Sequence, residues 1–228
     1  MTGGTRGIGA AIADLLLVQG ASVTITGTNR SGKRPDGMSF YPVDFADTHA
    51  TESFVDEILS SKFDILVNNA GINKVAPFAN IAPKDFDLIH LVNVRAPFRL
   101  CQAVIPYMLE QRWGRIVNVS SIFGIVSREH RASYSTSKFA IDGMTAALAA
   151  EVAQFGILAN CVAPGFIDTE LTRSILGTQG IADLADRIPA RRLGQAEEVA
   201  SLVCWLCSPE NTYISGQRLV IDGGFVRV

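Results

Sequence analysis

The sequence predicts an α/β protein with one doubly wound parallel sheet covered by helices on both faces. Three observations carry that prediction. Short apolar runs rich in β-branched residues alternate with helix-period patterns along the chain. A glycine-rich loop at residues 2–9 opens a helix, and a strand follows it directly, as a βαβ unit that cradles a phosphate requires. The run at residues 115–119 ends in Ser120-Ser121, which puts a polar pair at the C-terminal end of a strand, where open α/β sheets bind ligands.

With 228 residues and 48% hydrophobic content, the chain suits one domain over residues 1–228 with a large core. A net charge of −2 with no basic run argues against nucleic acid as a partner. No apolar stretch approaches the roughly 20 residues needed to span a bilayer. A glycine-rich loop beginning at residue two leaves no room for a signal peptide. Four cysteines fit a reducing compartment, so a soluble cytoplasmic protein is expected, without repeats, low-complexity tracts or linkers.

Taken in order, Gly3, Thr5, Arg6, Gly7, Ile8 and Gly9 form the phosphate loop before a helix at 10–19. Glycines there let backbone amides approach a pyrophosphate, and the helix dipole favours the anion. The strand that should precede this loop is missing, because only Met1 stands before Thr2. That strand is central in a doubly wound sheet, so its two neighbours would be left with unpaired edges, and a native start upstream is expected. The next strand, 21–26, leads into Gly27-Thr28-Asn29-Arg30 with no acidic residue to accept bonds from a ribose and repel a 2′-phosphate. Arg6, Arg30, Lys33 and Arg34 offer positive charge instead, and Thr28 and Asn29 offer neutral donors. This favours NADP(H), with NAD(H) as the alternative. The connection 30–39 has no room for a full crossover helix.

A strand at 40–43 precedes Asp44, which is placed either to read an adenine amino group or to cap the helix at 48–60, for which Asp47 and Thr48 also compete. The strand at 64–67 ends in Asn68-Asn69-Ala70-Gly71, small and amide residues that suit close approach to the adenosine end or a simple turn. From Pro83 a long helical pattern carries Asn93 among apolar neighbours. A buried asparagine needs partners from backbone or water, and its functional reading is to hold a water near Lys138.

In the helix starting at Ala132, Tyr134 and Lys138 stand four apart and share a face. A free phenol is a poor base at neutral pH. A lysine cation about 4 Å away, at an effective dielectric of about 20, favours phenolate by about 4 kcal/mol. Tyr134 would then exchange a proton, and Ser121 could hydrogen-bond the same carbonyl or alcohol oxygen, leaving the neighbouring carbon open to a hydride. Alone, such a pair is most often an ordinary helix-surface contact, and the rest of the chain decides. Small residues Ala146, Ala147, Ala149 and Ala150 would let a helix of a second subunit approach closely. The strand 157–163 closes at Pro164-Gly165, and residues 166–190, with isolated apolar residues and breaks at Gly177 and Gly180, read as a substrate lid. A helix at 196–207 and a strand at 218–221 complete the sheet. Cys204 and Cys207 read as core residues without a second ligand pair, and His49, His90 and His130 are scattered, so no metal site is expected.

Together these residues resemble the short-chain dehydrogenase/reductase family over essentially the whole chain, through TGGTRGIG from Thr2, NNAG from Asn68, Asn93, Ser121, YSTSK from Tyr134 and PG at Pro164. The resemblance implies a Rossmann-type sheet, a nicotinamide cofactor and reversible carbonyl–alcohol chemistry. It implies that Tyr134 is the acid/base, that Lys138 lowers its pKa and holds the nicotinamide ribose, that Ser121 orients the substrate oxygen and that Asn93 supports a proton relay. Ile167 and Thr169 match positions that hold the nicotinamide carboxamide. Residues 164–172, 187–194 and 213–224 look most like 3-oxoacyl-[acyl-carrier-protein] reductases, although sugar, polyol and steroid dehydrogenases share them. The basic patch by which such reductases dock a carrier is matched at Arg112, whereas Phe155 stands where a second basic residue is expected. The family implies a homotetramer or homodimer built on the helices around Asn93 and Tyr134. The substrate expected is a small carbonyl or alcohol compound, carrier-bound or free, against apolar walls from Phe123, Ile125, Phe166, Leu171 and Ile175. The competing readings are a sugar, polyol or other secondary-alcohol dehydrogenase and a non-catalytic dinucleotide-binding protein. Arg128, His130 and Arg131 read as a solvated loop or as contacts to an anionic substrate.

Overall fold

The computed structural model describes residues 1–28 and 37–227, apart from the side chains of residues 171 and 175. Helix α1 (Gly7–Val18) leads to strand β1 (Thr24–Gly27), β2 (Ser39–Pro42), α2 (Thr48–Ser60) and β3 (Ile65–Asn68). Helix α3 (Pro83–His90) passes through a π turn (Leu91–Arg95) into α4 (Ala96–Gln111) and β4 (Gly114–Val119). Then come α5 (Ala132–Val152), β5 (Ile157–Pro164), α6 (Glu170–Ala185), α7 (Ala196–Cys207) and β6 (Arg218–Ile221).

All strand pairs are parallel. β3, β4, β5 and β6 form one sheet in that order, and β1 pairs with β2 as a separate piece. Between the two pieces run Met1 and Thr2: Thr2 N–H donates to Val67 O at 2.9 Å, and Thr26 N–H donates to Met1 O at 3.1 Å. The expected break between the two inner strands therefore appears as a sheet in two parts, bridged by two residues.

β4 and β5 are buried along their whole length, which is why their sequences are nearly continuous apolar runs. Alternate side chains enter opposite layers. Leu66, Ile116, Ile157 and Ala159 pack with Phe54, Leu100 and Met108 under α2, α4 and α5. Val67, Val117 and Val162 pack with Ile12, Ile25 and Val203 under α1 and α7. At about 25 cal/mol per Å² of apolar surface, each such buried side chain contributes roughly 1.5–3 kcal/mol.

Local signals set the helix ends. The Asp47 carboxylate accepts from His49 and Ala50 N–H and starts α2, so Asp47 rather than Asp44 is the cap. α4 stops at Arg112, which takes a left-handed conformation (φ 52°). Gln195 and Glu198 form a capping box on α7.

Three expectations need correction. α1 begins at Gly7, three residues before the predicted start, its first turn masked in the sequence by glycines of low helix propensity. The helix expected from Pro83 is interrupted by the π turn that contains Asn93. In the lid, α6 consists of two helical pieces that meet at Gly177 (φ 61°, ψ −179°), where a break is predicted, whereas Gly180 does not interrupt it. Strand bounds move by one to three residues. Cys204 and Cys207 are buried in the core, and burial raises both thiols, Cys204 to about 11. The predicted connection around Asn29, Arg30, Lys33 and Arg34 lies outside the described residues.

Candidate active site

The C-terminal ends of the strands form a continuous crest on which most of the predicted residues meet. At its start the phosphate loop is locked onto the end of β3. Thr2 Oγ1 accepts from Asn69 N–H at 2.9 Å and Ala70 N–H at 3.0 Å, and the Asn69 amide donates to Thr2 O and Gly3 O, both at 3.1 Å. A Cβ on Gly3 would stand 3.1 Å from Ala70 Cα, and Gly3 has φ +63°. A Cβ on Gly9 would overlap the Gly3 carbonyl oxygen and come 2.6 Å from Asn69 Nδ2. The glycines are therefore required by close backbone approach. Arg6, exposed at the N-cap of α1, makes no side-chain cap bond, so among the described residues its side chain does not cap the helix N-terminus formed by Gly7, Ile8 and Gly9. That arrangement fits a pyrophosphate.

On one side of this loop, Gly27 abuts Thr5, and Val43 N–H donates to Gly27 O, which brings the exposed Thr28 and Asp44 to adjacent strand ends. Asp44 Oδ1 accepts from Ala46 N–H at 2.9 Å in a tight turn. Asn29 is outside the described residues. On the other side, the chain after β5 comes back over the loop. Gly165 N–H donates to Ile221 O, and Ile167 is buried and bridges to Gly194. Thr169 caps α6, accepting from Thr172 N–H at 3.2 Å, and its methyl would lie 3.6 Å from a Cβ on Gly7. Thr169 thus approaches the phosphate loop, on the segment that carries Pro164, Gly165 and Ile167.

The proton-handling residues stand between these two halves. Ser121, mostly buried, ends the loop after β4 and accepts from Phe123 N–H at 3.2 Å, which leaves its own O–H to donate. Lys138 is 5% exposed and has no carboxylate within ion-pair distance among the described residues. Its Nζ donates to Val119 O at 2.9 Å and lies 5.5 Å from the centre of the Tyr134 ring. Asn93 finds its partners in protein. Its Oδ1 accepts from Ile72 N–H at 2.8 Å, and its Nδ2 donates to Ile72 O at 2.9 Å and to Ser137 Oγ at 3.0 Å. A Cβ on Gly71 would lie 3.4 Å from Asn93 Oδ1 and 3.8 Å from Lys138 Nζ, so the two side chains flank Gly71.

Two positioning features escape the sequence reading. Ser137 donates to Tyr134 O at 2.7 Å while accepting from Asn93, tying the π turn to α5. Arg218 on β6 donates to Asp142 Oδ2 and to Gly124 O, both at 3.0 Å, and so clamps the loop after Ser121 onto α5. Asp142 follows Lys138 by four residues, the one signal that could have placed it on this face. No cluster of potential metal ligands occurs among the described residues. No helix among them is long and apolar enough to cross a membrane.

A parallel α/β sheet with a glycine-lined helix N-terminus and a tyrosine–lysine pair at the ends of its strands has the features of a dinucleotide-binding protein equipped for proton transfer. A family model described as "Enoyl-(Acyl carrier protein) reductase" matches residues 3–226. The chain is 37% identical over 236 residues to the 3-oxoacyl-[acyl-carrier-protein] reductase FabG of Vibrio cholerae, covering 100% of this chain and 96% of that protein. It also matches a gluconate 5-dehydrogenase from Burkholderia cenocepacia, solved with NADP and tartrate, at a TM-score of 0.91 and 31% identity over 100% of this chain and 94% of that one. A putative NAD(P)-dependent gluconate 5-dehydrogenase from Beutenbergia cavernae, solved with bound NADP, gives a TM-score of 0.92 at 32% identity over 100% and 95%. The chain belongs to the short-chain dehydrogenase/reductase family and is an oxidoreductase acting on alcohol and ketone groups.

Proposed function

We propose that this protein is an NADPH-dependent reductase that converts a ketone, foremost a 3-oxoacyl thioester, to the secondary alcohol. The observation that carries the reading is the buried Lys138 ammonium, unpaired with any described carboxylate and held by Val119 O beside the Tyr134 ring. A buried cation in that position has a use when negative charge develops on the phenol.

The phosphate loop, with Gly3, Thr5, Arg6, Gly7, Ile8 and Gly9, would hold the pyrophosphate of NADP(H). Thr28 and Asp44 would face the adenosine end, Asn69, Ala70 and Gly71 would line its ribose side, and Pro164, Gly165, Ile167 and Thr169 would hold the carboxamide end. When bound, the nicotinamide supplies hydride to the carbonyl carbon. Ser121 donates to the carbonyl oxygen, Tyr134 gives up its phenolic proton as alkoxide charge develops, and Lys138 stabilises the phenolate that remains. Asn93 keeps Ile72 and Ser137 in place and thereby positions α5. The absence of an acid after β1 supports NADP(H) over NAD(H).

The thioester is supported by the full-length similarity to 3-oxoacyl-[acyl-carrier-protein] reductases. Against a carrier-bound form stands Phe155, whose ring takes the Arg112 guanidinium at 5.9 Å where a second basic residue was expected. A second reading, reduction of a keto sugar acid, is supported by the likeness to gluconate dehydrogenases. A dimer or tetramer through α4 and α5 would cover Phe98 and Phe139, which are 46% and 48% exposed. The deciding experiment follows NADPH and NADH consumption with an acetoacetyl thioester beside a keto sugar acid. Preferential turnover of the thioester with NADPH supports the first reading, and preferential turnover of the sugar acid replaces it with the second.

A further inference from the structure

We propose that the cavity under α6, beside Tyr134, is a subsite for an anionic group of the substrate, a carboxylate or a phosphate, held by Arg128, Arg131 and Arg187. The proposal rests on the reading of the neighbouring site as a carbonyl reductase.

The cavity has a volume of about 380 Å³. Phe166, Leu176 and Leu184 give it apolar walls, and the three arginines line it. Its one carboxylate, Asp183, already accepts from Gln179 Nε2 at 2.8 Å. Among the described residues none of the three arginines forms an ion pair, whereas Arg173 and Arg192 nearby are paired with Asp168 and Glu198, each at 2.7 Å. Those two neighbouring cations are neutralised, whereas Arg128, Arg131 and Arg187 face a hollow.

Arg128 and Arg131 crowd one aromatic ring, with guanidinium carbons 5.8 Å and 5.7 Å from the centre of Phe123. Two like charges on one ring repel, and a shared anion would relieve them. The charge on Arg131 is disfavoured first by burial and then by Arg128, with Tyr134 acting the other way. Phe123 meets Tyr134 edge-on at 6.2 Å and Phe166 at 6.3 Å. A single ring thus touches the arginine pair, the proposed acid/base and the Phe166 wall of the cavity. A substrate with its carbonyl at Tyr134 would extend its remaining part past Phe123 into the cavity, where apolar walls suit a carbon chain and the guanidinium forks suit a carboxylate or phosphate.

The test compares matched pairs. Acetoacetyl-phosphopantetheine is set against acetoacetyl-pantetheine, which lacks only the phosphate, and levulinate against its methyl ester, each with saturating NADPH. A lower KM for the charged member of the thioester pair assigns the phosphate, and one for the charged member of the oxo-acid pair assigns the carboxylate. In the Arg128→Gln/Arg131→Gln variant, and separately in Arg187→Gln, that KM preference should shrink roughly tenfold or more, as loss of charge-assisted bonds requires. Arg131→Lys should retain part of it. Unchanged NADPH affinity shows that the variants are folded. Binding is also read without turnover, by titrating the NADPH complex with each charged compound and following cofactor fluorescence. Saturation that the double variant weakens, even without turnover, supports the subsite and counts against the reductase reading alone. No saturation by either anion, or a charged-over-neutral preference that survives the substitutions, overturns the subsite while leaving the reductase reading intact.

Discussion

Replacing Lys138 by methionine keeps most of the side-chain volume and removes the ammonium. The Nζ lies 5.5 Å from the Tyr134 ring centre. At an effective dielectric of about 20, unit charges roughly 5–6 Å apart interact by about 3 kcal/mol, the scale expected of a cation beside this phenol. With a factor of ten per roughly 1.4 kcal/mol, Lys138→Met should lower kcat/KM for ketone reduction by about 10²-fold. Lys138→Arg, which keeps a cation, should lose less. The assay is steady-state NADPH consumption with a ketone at saturating cofactor, with cofactor affinity measured separately by fluorescence, because Lys138 is also assigned to the nicotinamide ribose. A Lys138→Met enzyme within about threefold of wild type would refute the electrostatic role of the lysine.

Gly9→Ala should raise the dissociation constant for NADPH by about tenfold or more, since its methyl meets backbone at Gly3 rather than a side chain able to turn away; titration by cofactor fluorescence checks it. Asn93→Ala removes three hydrogen bonds that join Ile72 to Ser137 and should cost roughly 2 kcal/mol, seen as a Tm lower by roughly 4–8 °C in calorimetry. The Arg192 guanidinium, then the Gln195 backbone N–H, holds Glu198 down to about 2 from its ordinary 4.5. A depressed carboxylate stabilises the fold above its unfolded value and ceases to as pH falls through its folded one. The Tm difference between wild type and Glu198→Gln should therefore be full at neutral pH, shrink below about 4.5 and vanish near 2 in a pH series of thermal melts. Light scattering should show a dimer or tetramer, and charged substitutions at Phe98 and Phe139 should shift it toward the monomer.

What the sequence made legible follows from how much of each feature is local. The strand at Gly114–Val119 and the helix at Thr48–Ser60 were readable because burial on both faces and a single amphipathic stripe leave plain patterns. Tyr134 and Lys138 could be placed on one face by spacing alone, but the ammonium is also held by Val119 O, a partner 19 residues away that spacing does not show. The π turn at Asn93 was invisible because Leu88, Ile89, Leu91, Val92 and Val94 crowd around it so densely that a one-residue shift of register leaves no gap in the apolar pattern. The lid helix was hidden by Gly177 and Gly180, of which only the first takes a non-helical conformation. Arg128 and Arg131 could be suspected of meeting an anion, yet only the fold brings Arg187 to the same cavity.

The central claim is that Tyr134 supplies the proton while NADPH reduces a ketone on this crest. Its most direct test is NADPH consumption with an acetoacetyl thioester by wild type and Tyr134→Phe, each shown to bind the cofactor. The account predicts turnover by wild type and a loss of about 10²-fold or more in the variant, the scale of a positioned general acid. Equal rates from the two proteins would contradict it.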